Sequence, residues 1–205
     1  MNTKYYDDNA QSFYRSTVDV DMKDLYSQFL PFIGAAGRIL DLGCGSGRDT
    51  KHFVDLGYQV DAIDASKEMV SLASVKSGIK VKHMTFQQFS ANCKYDGIWA
   101  CASLLHVEPK ALGSLFVQIS QWLKASGLLY VSFKYGDSVR VKGGRVFTDM
   151  DKRQLVSLLG ESDLVLKESW VTEDQRPEQV GKWLNALIVK RIEIGDNSLE
   201  AAPHK

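Results

Sequence analysis

The sequence has little cysteine and no long apolar run. Its three cysteines, Cys44, Cys93 and Cys101, are odd in number and are not spaced as metal ligands, which argues against a disulfide framework or a zinc site and favours a reducing compartment. No apolar stretch approaches the roughly 18 residues needed to cross a bilayer, and the N-terminal MNTKYYDDNAQSF lacks the basic-then-apolar pattern of a signal peptide. We therefore expect a cytoplasmic protein without a membrane anchor and without a metal.

An excess of charge of one sign is also lacking. Lysine plus arginine and aspartate plus glutamate each number 25, so no overall field attracts nucleic acid or anionic lipid. Hydrophobic residues make up 44% and charged residues 24%, as in soluble globular proteins. The 205 residues suffice for one ordinary domain but not for two. We expect a single domain over residues 1–192, a monomer or weak homodimer, and a tail at 193–205.

Strand-like and helix-like patterns alternate along the first two thirds of the chain. Strands are predicted at 38–42, 58–63, 79–84, 95–103 and 128–135, and helices at 22–32 with Asp21 as cap, 48–56, 66–76 with Ser66 as cap, and 109–122. Such alternation implies right-handed crossovers and a mostly parallel sheet covered on both faces. Farther on, the patterns predict a helix at 150–159, capped by Thr148 or Asp149, and an antiparallel strand pair at 164–171 and 182–191.

The predicted fold is therefore α/β, with a doubly wound, mostly parallel seven-stranded sheet and an antiparallel C-terminal strand pair. Within the domain we expect three parts: an N-terminal lid and helix at 1–34, a ligand-binding core at 35–135, and a substrate-side segment with the C-terminal hairpin at 136–192.

Three glycines follow the first predicted strand at alternate positions: Gly43, Gly45 and Gly47 in DLGCGSG. A strand, a glycine turn and a helix start in this order let a ligand lie on backbone amides at the edge of a sheet, although turns also use glycine for steric reasons alone. Two acids strengthen the ligand interpretation. Asp64 ends the next strand, within the roughly 20-residue interval at which an acid accepts ribose hydroxyls, and Asp41, directly before the loop, favours a positively charged ligand over a pyrophosphate.

The motif DLGCGSG followed by AIDAS resembles the class I S-adenosylmethionine-dependent methyltransferases, over about residues 5–135. The resemblance, which is strongest to the small-molecule branch of the ubiquinone-biosynthesis and tellurite-resistance type, implies a Rossmann-like sheet. It also implies S-adenosylmethionine as cofactor and S-adenosylhomocysteine as product. The acid that the family usually carries after the third strand is missing, and Phe86, Gln87 and Gln88 stand there instead. The cofactor-binding residues implied in this way are Asp41, Gly43, Cys44, Gly45, Gly47, Asp64, Ala65, Phe86, Gln87, Cys101 and Tyr14.

The end of the fourth strand, WACASLLHV, resembles the segment that leads from the cofactor sulfur into the substrate pocket of this family. Cys101, Ala102 and Ser103 would lie beside the cofactor, with Leu105 and His106 facing the acceptor. His106 is the candidate general base because imidazole titrates near neutrality. A purely structural histidine, hydrogen-bonded to backbone, is the alternative. Tyr135 is a second catalytic candidate, able to orient or deprotonate a substrate hydroxyl.

Basic residues cluster after the fifth strand. They could hold a carboxylate or phosphate of the acceptor, with arginine offering a two-pronged contact, or form a solvated loop. The candidate substrate-binding residues are Leu105, Lys134, Arg140, Arg145 and Arg176. At the N-terminus, Tyr14 and Arg15 resemble part of the lid that many family members fold over the cofactor.

The sequence thus predicts a methyltransferase that acts by in-line displacement on a small, anionic or aromatic acceptor. Two alternatives remain open: a nicotinamide-dependent oxidoreductase on a related sheet, and a non-catalytic module that binds S-adenosylmethionine. An RNA or protein methyltransferase is disfavoured, because CASLLH stands where a (D/N)PP(Y/F) motif would lie and no RNA-binding module is appended.

Overall fold

Seven strands form one sheet in the computed structural model, which describes residues 3–176 and 179–191. In chain order they are β1 (Arg38–Leu42), β2 (Gln59–Asp64), β3 (Lys82–His83), β4 (Tyr95–Ala100), β5 (Leu123–Lys134), β8 (Leu164–Glu173) and β9 (Lys182–Lys190). Their order across the sheet is β3-β2-β1-β4-β5-β9-β8. The first five strands are parallel to one another, and β9 runs antiparallel to both β5 and β8. The predicted fold class is confirmed.

Helices cover both faces of this sheet. They are α1 (Lys4–Asp8), α2 (Ala10–Thr17), α3 (Lys23–Phe29), α4 (Arg48–Asp55), α5 (Lys67–Ser77), α6 (Pro109–Trp122) and α7 (Lys152–Leu159). Two short 3-10 turns lie at Leu30–Phe32 and Leu104–His106.

Neighbouring residues of the central strands enter different cores. Ile98 of β4 packs in a cluster with Phe116 of α6, whereas Trp99 packs in a second cluster with Phe29 of α3 and Phe53 of α4. Successive side chains of a strand point to opposite faces, so this separation explains why β4 reads as an unbroken apolar run.

Most predicted elements are present, with some different ends. Ser66 caps α5 by accepting a hydrogen bond from the Met69 amide at 3.2 Å, as predicted. The prediction of Thr148 or Asp149 as cap of α7 is wrong. Asp151 is the cap, because its carboxylate accepts from the Gln154 amide while the Gln154 side chain accepts from the Asp151 amide. Asp21 lies one residue before the cap of α3 and accepts from the Lys23 amide.

Three strands, β3, β4 and β5, differ most from their predicted bounds. The third strand is reduced to Lys82–His83. β4 ends at Ala100, and Ala102 has φ of +50°, a left-handed conformation that a strand does not contain. β5 begins at Leu123 instead of the predicted residue 128, and its pairing with β4 is irregular over this added part.

The glycine-rich segment after β5 forms a hairpin that the sequence analysis missed. Strands β6 (Val139–Lys142) and β7 (Arg145–Thr148) pair antiparallel around Gly143 and Gly144. These glycines have φ of +56° and +72°, as a two-residue hairpin turn requires. The segment predicted as an N-terminal lid contains the helices α1 and α2. The predicted tail at 193–205 lies outside the described residues.

Candidate functional site

A cavity of about 460 Å³ opens at the edge of the sheet where β4 and β5 end and β9 begins. Cys101 and Ala102 follow β4 on its floor, and Ser132 of β5 and Asn185 of β9 complete that floor. The walls come from α1, α2, the β6–β7 hairpin and the segment between β8 and β9. In sheets of this type ligands bind outside the carboxyl ends of the parallel strands, which is where this cavity lies.

The three loop glycines have positive φ, of +85° at Gly43, +52° at Gly45 and +75° at Gly47. A Cβ on Gly43 would lie 2.6 Å from Ser103 Cβ, and one on Gly47 would lie 2.8 Å from Ala73 Cα. Close approach within the chain itself therefore accounts for these two. A Cβ on Gly45 would meet only the Phe13 ring, at 3.7 Å. The space beyond the loop is open at Gly45 alone.

Asp64 lies against this open position. Its carboxylate accepts hydrogen bonds from the amides of Gly45 and Ser66, both at 2.9 Å. Burial raises the pKa of Asp64 above its usual value, although these amide donors act in the opposite direction. The Ala65 amide also acts on this carboxylate. A carboxylate has about four lone-pair positions, so Asp64 can still accept a further hydrogen bond.

Asp41 and Cys44 are buried and held within the chain. The Thr50 hydroxyl donates to Asp41 at 2.6 Å, and burial, followed by the charge of Asp49, raises the pKa of Asp41 to about 8. Burial also raises the pKa of the Cys44 thiol. The expectation that Asp41 presents a negative charge to a cationic ligand does not fit a carboxyl in these surroundings.

The residues predicted for the adenine side lie apart from the main cavity. Phe86 is buried, with its ring 3.3 Å from the place of a Cβ on Gly43. Gln87 is exposed and lines a second cavity of about 180 Å³ together with His106. The carbonyl oxygen of Ala65 lies 3.1 Å from Nε2 of the His83 ring, within hydrogen-bond distance.

His106 lies between the lid and the hairpin. Its Nδ1 is 2.8 Å from the Val146 carbonyl oxygen, and its Nε2 is 2.6 Å from the Tyr6 hydroxyl. Because a carbonyl only accepts, we assign the proton to Nδ1, and Nε2 accepts from Tyr6. Burial lowers the pKa of His106, with a smaller contribution from the nearby Arg145. The ring is thus hydrogen-bonded to backbone and also lines the cavity, and its role as a base stays a prediction.

The lid contacts the loop and its surroundings through α1 and α2. Asp7 accepts a hydrogen bond from the Ser66 hydroxyl at 2.6 Å, and the rings of Tyr6 and Phe13 pack edge to face with centroids 5.0 Å apart. The described lining residues include Tyr6 and Phe13 but not Tyr14 or Arg15. The lid therefore reaches the cavity on both sides of Tyr14, through Tyr6 and Phe13 before it and Thr17 after it.

Basic side chains dominate the cavity wall. Seven of them line it: Arg48, Lys134, Arg140, Lys142, Arg145, Arg176 and Lys182. Arg140 donates from Nε and Nη2 to the two oxygens of Asp149, at 2.6 and 2.7 Å. Arg48 pairs in the same way with Asp49. These two guanidinium groups are therefore already neutralised by the protein.

Asp174 gathers the far wall. Lys134, Arg176 and the Trp183 indole all donate to its carboxylate, at 2.7, 2.7 and 3.0 Å. Although burial opposes it, these donors hold the pKa of Asp174 well below its usual range. The connection between β8 and β9 is therefore fixed to the cavity at this residue rather than being a simple surface loop.

The remaining predicted residues occupy the floor and the rim. Leu105 is buried in the lining, and Tyr135 is 49% exposed. Cys101 faces the cavity, but burial raises the pKa of its thiol to about 12. It is therefore a protonated thiol at neutral pH and not a thiolate nucleophile.

Several residues of the site were missed or given no role by the sequence analysis. Asp174 and Asp149 pair with predicted cations, and Arg48 lies on the floor. The acid two residues before Arg176 was a local signal for one pair. Tyr6 and His106 stand 100 positions apart, so no sequence signal joined them.

Two surveys of the described chain bear on the class of site. In residues 3–176 and 179–191 no group of three or more His, Cys, Asp or Glu side chains is arranged to hold a metal ion. Over the same residues, no helix has both the length and the apolar character that a membrane crossing needs.

The chain is similar to known proteins in sequence and in fold. Residues 39–127 match a family model described as a methyltransferase domain. A putative methyltransferase of Bacillus subtilis, YqeM, is 30% identical over 142 residues, which is 62% of this chain and 56% of that protein. A ubiquinone biosynthesis O-methyltransferase of Xanthomonas axonopodis pv. citri is 32% identical over 106 residues, 48% of this chain and 43% of that protein. The chain thus spans about half the length of these curated relatives.

Among solved structures, the fold is similar to that of the Burkholderia thailandensis 1,6-didemethyltoxoflavin-N1-methyltransferase, which was crystallised with 1,6-didemethyltoxoflavin and S-adenosylhomocysteine. The TM-score is 0.75, with 21% identity, and the match covers 92% of this chain and 85% of that one. The sequence match at 39–127 and the fold are thus consistent with the predicted resemblance to the class I S-adenosylmethionine-dependent methyltransferases.

Proposed function

We propose that this protein transfers the methyl group of S-adenosylmethionine to a small molecule bound in the cavity. One observation carries the proposal: the open position at Gly45, with Asp64 against it, lies beside the cavity, and the side chain nearest to Gly45 is the cavity-lining Phe13. The match of this stretch to a methyltransferase family model supports the same assignment.

The residues around the loop suit such a cofactor. Asp64 retains acceptor capacity for ribose hydroxyls, since the backbone amides that donate to it do not fill its roughly four lone-pair positions. The Ser103 hydroxyl is buried beside Gly43 and has no hydrogen-bond partner in the described chain. A buried hydroxyl without a partner is costly, and a polar ligand group could satisfy it. We assign Asp64, Gly45 and Ser103 to the cofactor and Ala102 and Cys101 to the space between cofactor and acceptor.

When bound, the cofactor supplies an electrophilic methyl carbon on a positively charged sulfur. The chain then has to align the acceptor with that carbon and keep water away. The lid and the hairpin do the second task, because α1 meets the hairpin region at His106. The floor residues Ser132 and Asn185 offer polar groups that can orient an acceptor.

An oxygen or nitrogen acceptor that is protonated at neutral pH also needs a base. His106 is suited to this role, because its Nε2 is the unprotonated ring nitrogen and its lowered pKa favours the neutral ring. In the described conformation Nε2 accepts from Tyr6. The acceptor proton either passes to the Tyr6 oxygen as the Tyr6 proton moves to His106, or goes directly to His106 once Tyr6 is displaced. Both routes leave an imidazolium. Tyr135, at the rim, is assigned to acceptor orientation.

The site also draws on distant parts of the chain. Its walls come from residues before β1 and after β5, which supports the proposal that residues 1–192 act as one domain.

The decisive experiment is calorimetric titration of the full chain with S-adenosylhomocysteine and, separately, with NADH. We expect S-adenosylhomocysteine to bind and Asp64→Asn to weaken it by about tenfold or more, because charge-assisted hydrogen bonds are lost. Asp19→Asn, at an exposed position outside the cavity lining, is the matched control. Binding of NADH without S-adenosylhomocysteine would establish the oxidoreductase alternative. Binding of S-adenosylhomocysteine without methyl transfer to any of a broad set of acceptors would establish a non-catalytic module.

A further inference from the structure

The cavity carries an excess of positive charge in a chain that has none overall. Seven basic side chains line it, and four carboxylates, of Asp49, Asp149, Glu173 and Asp174, pair with them. Three positive charges are left over, against a net charge of zero for the whole sequence. A concave site lined by one sign of charge raises the local concentration of ligands of the opposite sign.

Arg145 differs from the other arginines of the cavity. Its guanidinium carbon lies 3.8 Å from the centre of the Tyr5 ring and 5.0 Å from that of Phe147. Its Nε is buried and has no hydrogen-bond partner within residues 3–176 and 179–191. The other three arginines of the cavity, Arg48, Arg140 and Arg176, each pair with an aspartate. No described acid pairs with Arg145 in this way.

Aromatic faces attract a guanidinium but do not replace strong hydrogen-bond acceptors. Burying a charged donor without an acceptor is costly. The rings of Tyr5, Tyr6 and Phe147 hold the Arg145 side chain in place. They leave its donors without a carboxylate partner among the described residues. This arrangement suits an oxyanion that arrives from the cavity. Arg140 shows the contrast, because both oxygens of Asp149 already accept from its guanidinium group, from Nε and Nη2.

The position of Arg145 relates it to the candidate base. The carbonyl of the next residue, Val146, accepts from His106 Nδ1, and Tyr6 lies between the Arg145 and His106 side chains, in contact with both. An anion bound at Arg145 would therefore lie next to His106.

We propose that the acceptor of this enzyme is a small oxyanion, bearing a carboxylate or a phosphate-type group that pairs with Arg145. The role of this anion as methyl acceptor rests on the proposed function, whereas the binding of an anion at Arg145 does not. Arg145 fixes the acceptor, and the net charge of the Lys134–Arg176–Asp174 group on the far wall, one positive, adds to the attraction.

The test is a titration of the full chain saturated with S-adenosylhomocysteine. Three probes are used: inorganic phosphate, benzoate, and benzamide as the neutral analogue of benzoate. We expect phosphate or benzoate to bind and benzamide to bind at least about tenfold more weakly, as follows from the loss of a hydrogen bond between charged groups. Arg145→Gln should weaken the bound anion by about tenfold to a hundredfold, and Arg145→Lys by less, because lysine keeps the charge but not the fork.

Arg153→Gln is the matched control, since Arg153 is an exposed arginine on α7 outside the cavity lining. An unchanged S-adenosylhomocysteine affinity shows that each variant is folded, and Arg145→Lys keeps the test valid if the glutamine variant is not. Equal binding of benzoate and benzamide, failure of both anions to bind, or anion binding that Arg145→Gln leaves unchanged would overturn the oxyanion site. Arg145-dependent anion binding by a protein that does not bind S-adenosylhomocysteine would overturn the proposed function alone.

Discussion

Alanine substitutions at three glycines, two of them in the loop after β1, test three different physical reasons for a missing side chain. Gly57, Gly47 and Gly45 all have positive φ, of +85°, +75° and +52°. A Cβ would have no atom within 4 Å at Gly57, would lie 2.8 Å from the Ala73 backbone at Gly47, and would approach only the Phe13 ring at Gly45. Alanine at each position therefore adds the same backbone strain, but only one alanine adds a clash within the protein.

The expected magnitudes follow from these contacts. A non-glycine residue in the left-handed region costs about 1–2 kcal/mol, so Gly57→Ala and Gly45→Ala should lower the free energy of unfolding by that amount. At Gly47 the neighbour is backbone of α5 and cannot rotate away, so overpacking adds about 1–3 kcal/mol. Gly47→Ala should thus be the most destabilising of the three. Urea unfolding followed by circular dichroism measures all of these differences.

Binding separates Gly45 from the control. If a cofactor lies over the open position, Gly45→Ala should weaken S-adenosylhomocysteine by about tenfold, the effect of roughly 1.4 kcal/mol, whereas Gly57→Ala should leave its affinity unchanged. Calorimetric titration of both variants gives the comparison. The reasoning fails if Gly47→Ala is no more destabilising than Gly57→Ala, or if Gly45→Ala binds S-adenosylhomocysteine as tightly as the unaltered protein.

Three further predictions concern ionisable groups. If His106 is the base, the acid limb of kcat/KM should have its midpoint below 6.5, because burial lowers the pKa of the ring, and this limb should vanish in His106→Asn; a midpoint above 6.5 would contradict the assignment. Asp174→Asn leaves Lys134 and Arg176 without their carboxylate and should cost about 3 kcal/mol in urea unfolding; since the pKa of Asp174 is lowered, this cost should shrink as the pH falls below about 4, and a constant difference would refute it. The raised pKa of Asp41, about 8, favours the protonated form in the folded protein, so stability should fall between about pH 4 and pH 8; Asp41→Asn should flatten this slope of the thermal midpoint, and an unchanged slope would count against it.

Local patterns were enough to predict much of the sheet and its loop. Alternation and apolar runs identify β1, β2 and β4, because each of these strands is made of consecutive residues whose burial follows directly from composition. Ser66 was predictable as a cap for the same reason: its partner, the Met69 amide, is three residues away. The hairpin β6–β7 also had a local signal, alternating apolar residues around Gly143 and Gly144, that we interpreted as an irregular loop.

The pairings inside the cavity were not predictable in this way. Lys134 and Asp174 are 40 positions apart, and Tyr6 and His106 are 100 apart, so their contacts depend on the complete topology. The same holds for the glycines. The spacing of Gly43, Gly45 and Gly47 is compatible with a ligand over all three, and only the packing of Ser103 and Ala73 against the chain reveals that two of these spaces are already filled.

The residues proposed for the cofactor lie within the family-model match, whereas most of those proposed for the acceptor lie outside it. The match to the methyltransferase family model covers 39–127, which includes Gly45, Asp64 and His106. The cations of the cavity other than Arg48 lie after residue 127, and the lid lies before residue 39. The family-model match therefore bears on the proposed cofactor site and leaves the acceptor to the walls. Because Arg145 and Tyr6 belong to those walls, changes there should alter acceptor choice while leaving S-adenosylhomocysteine affinity nearly constant.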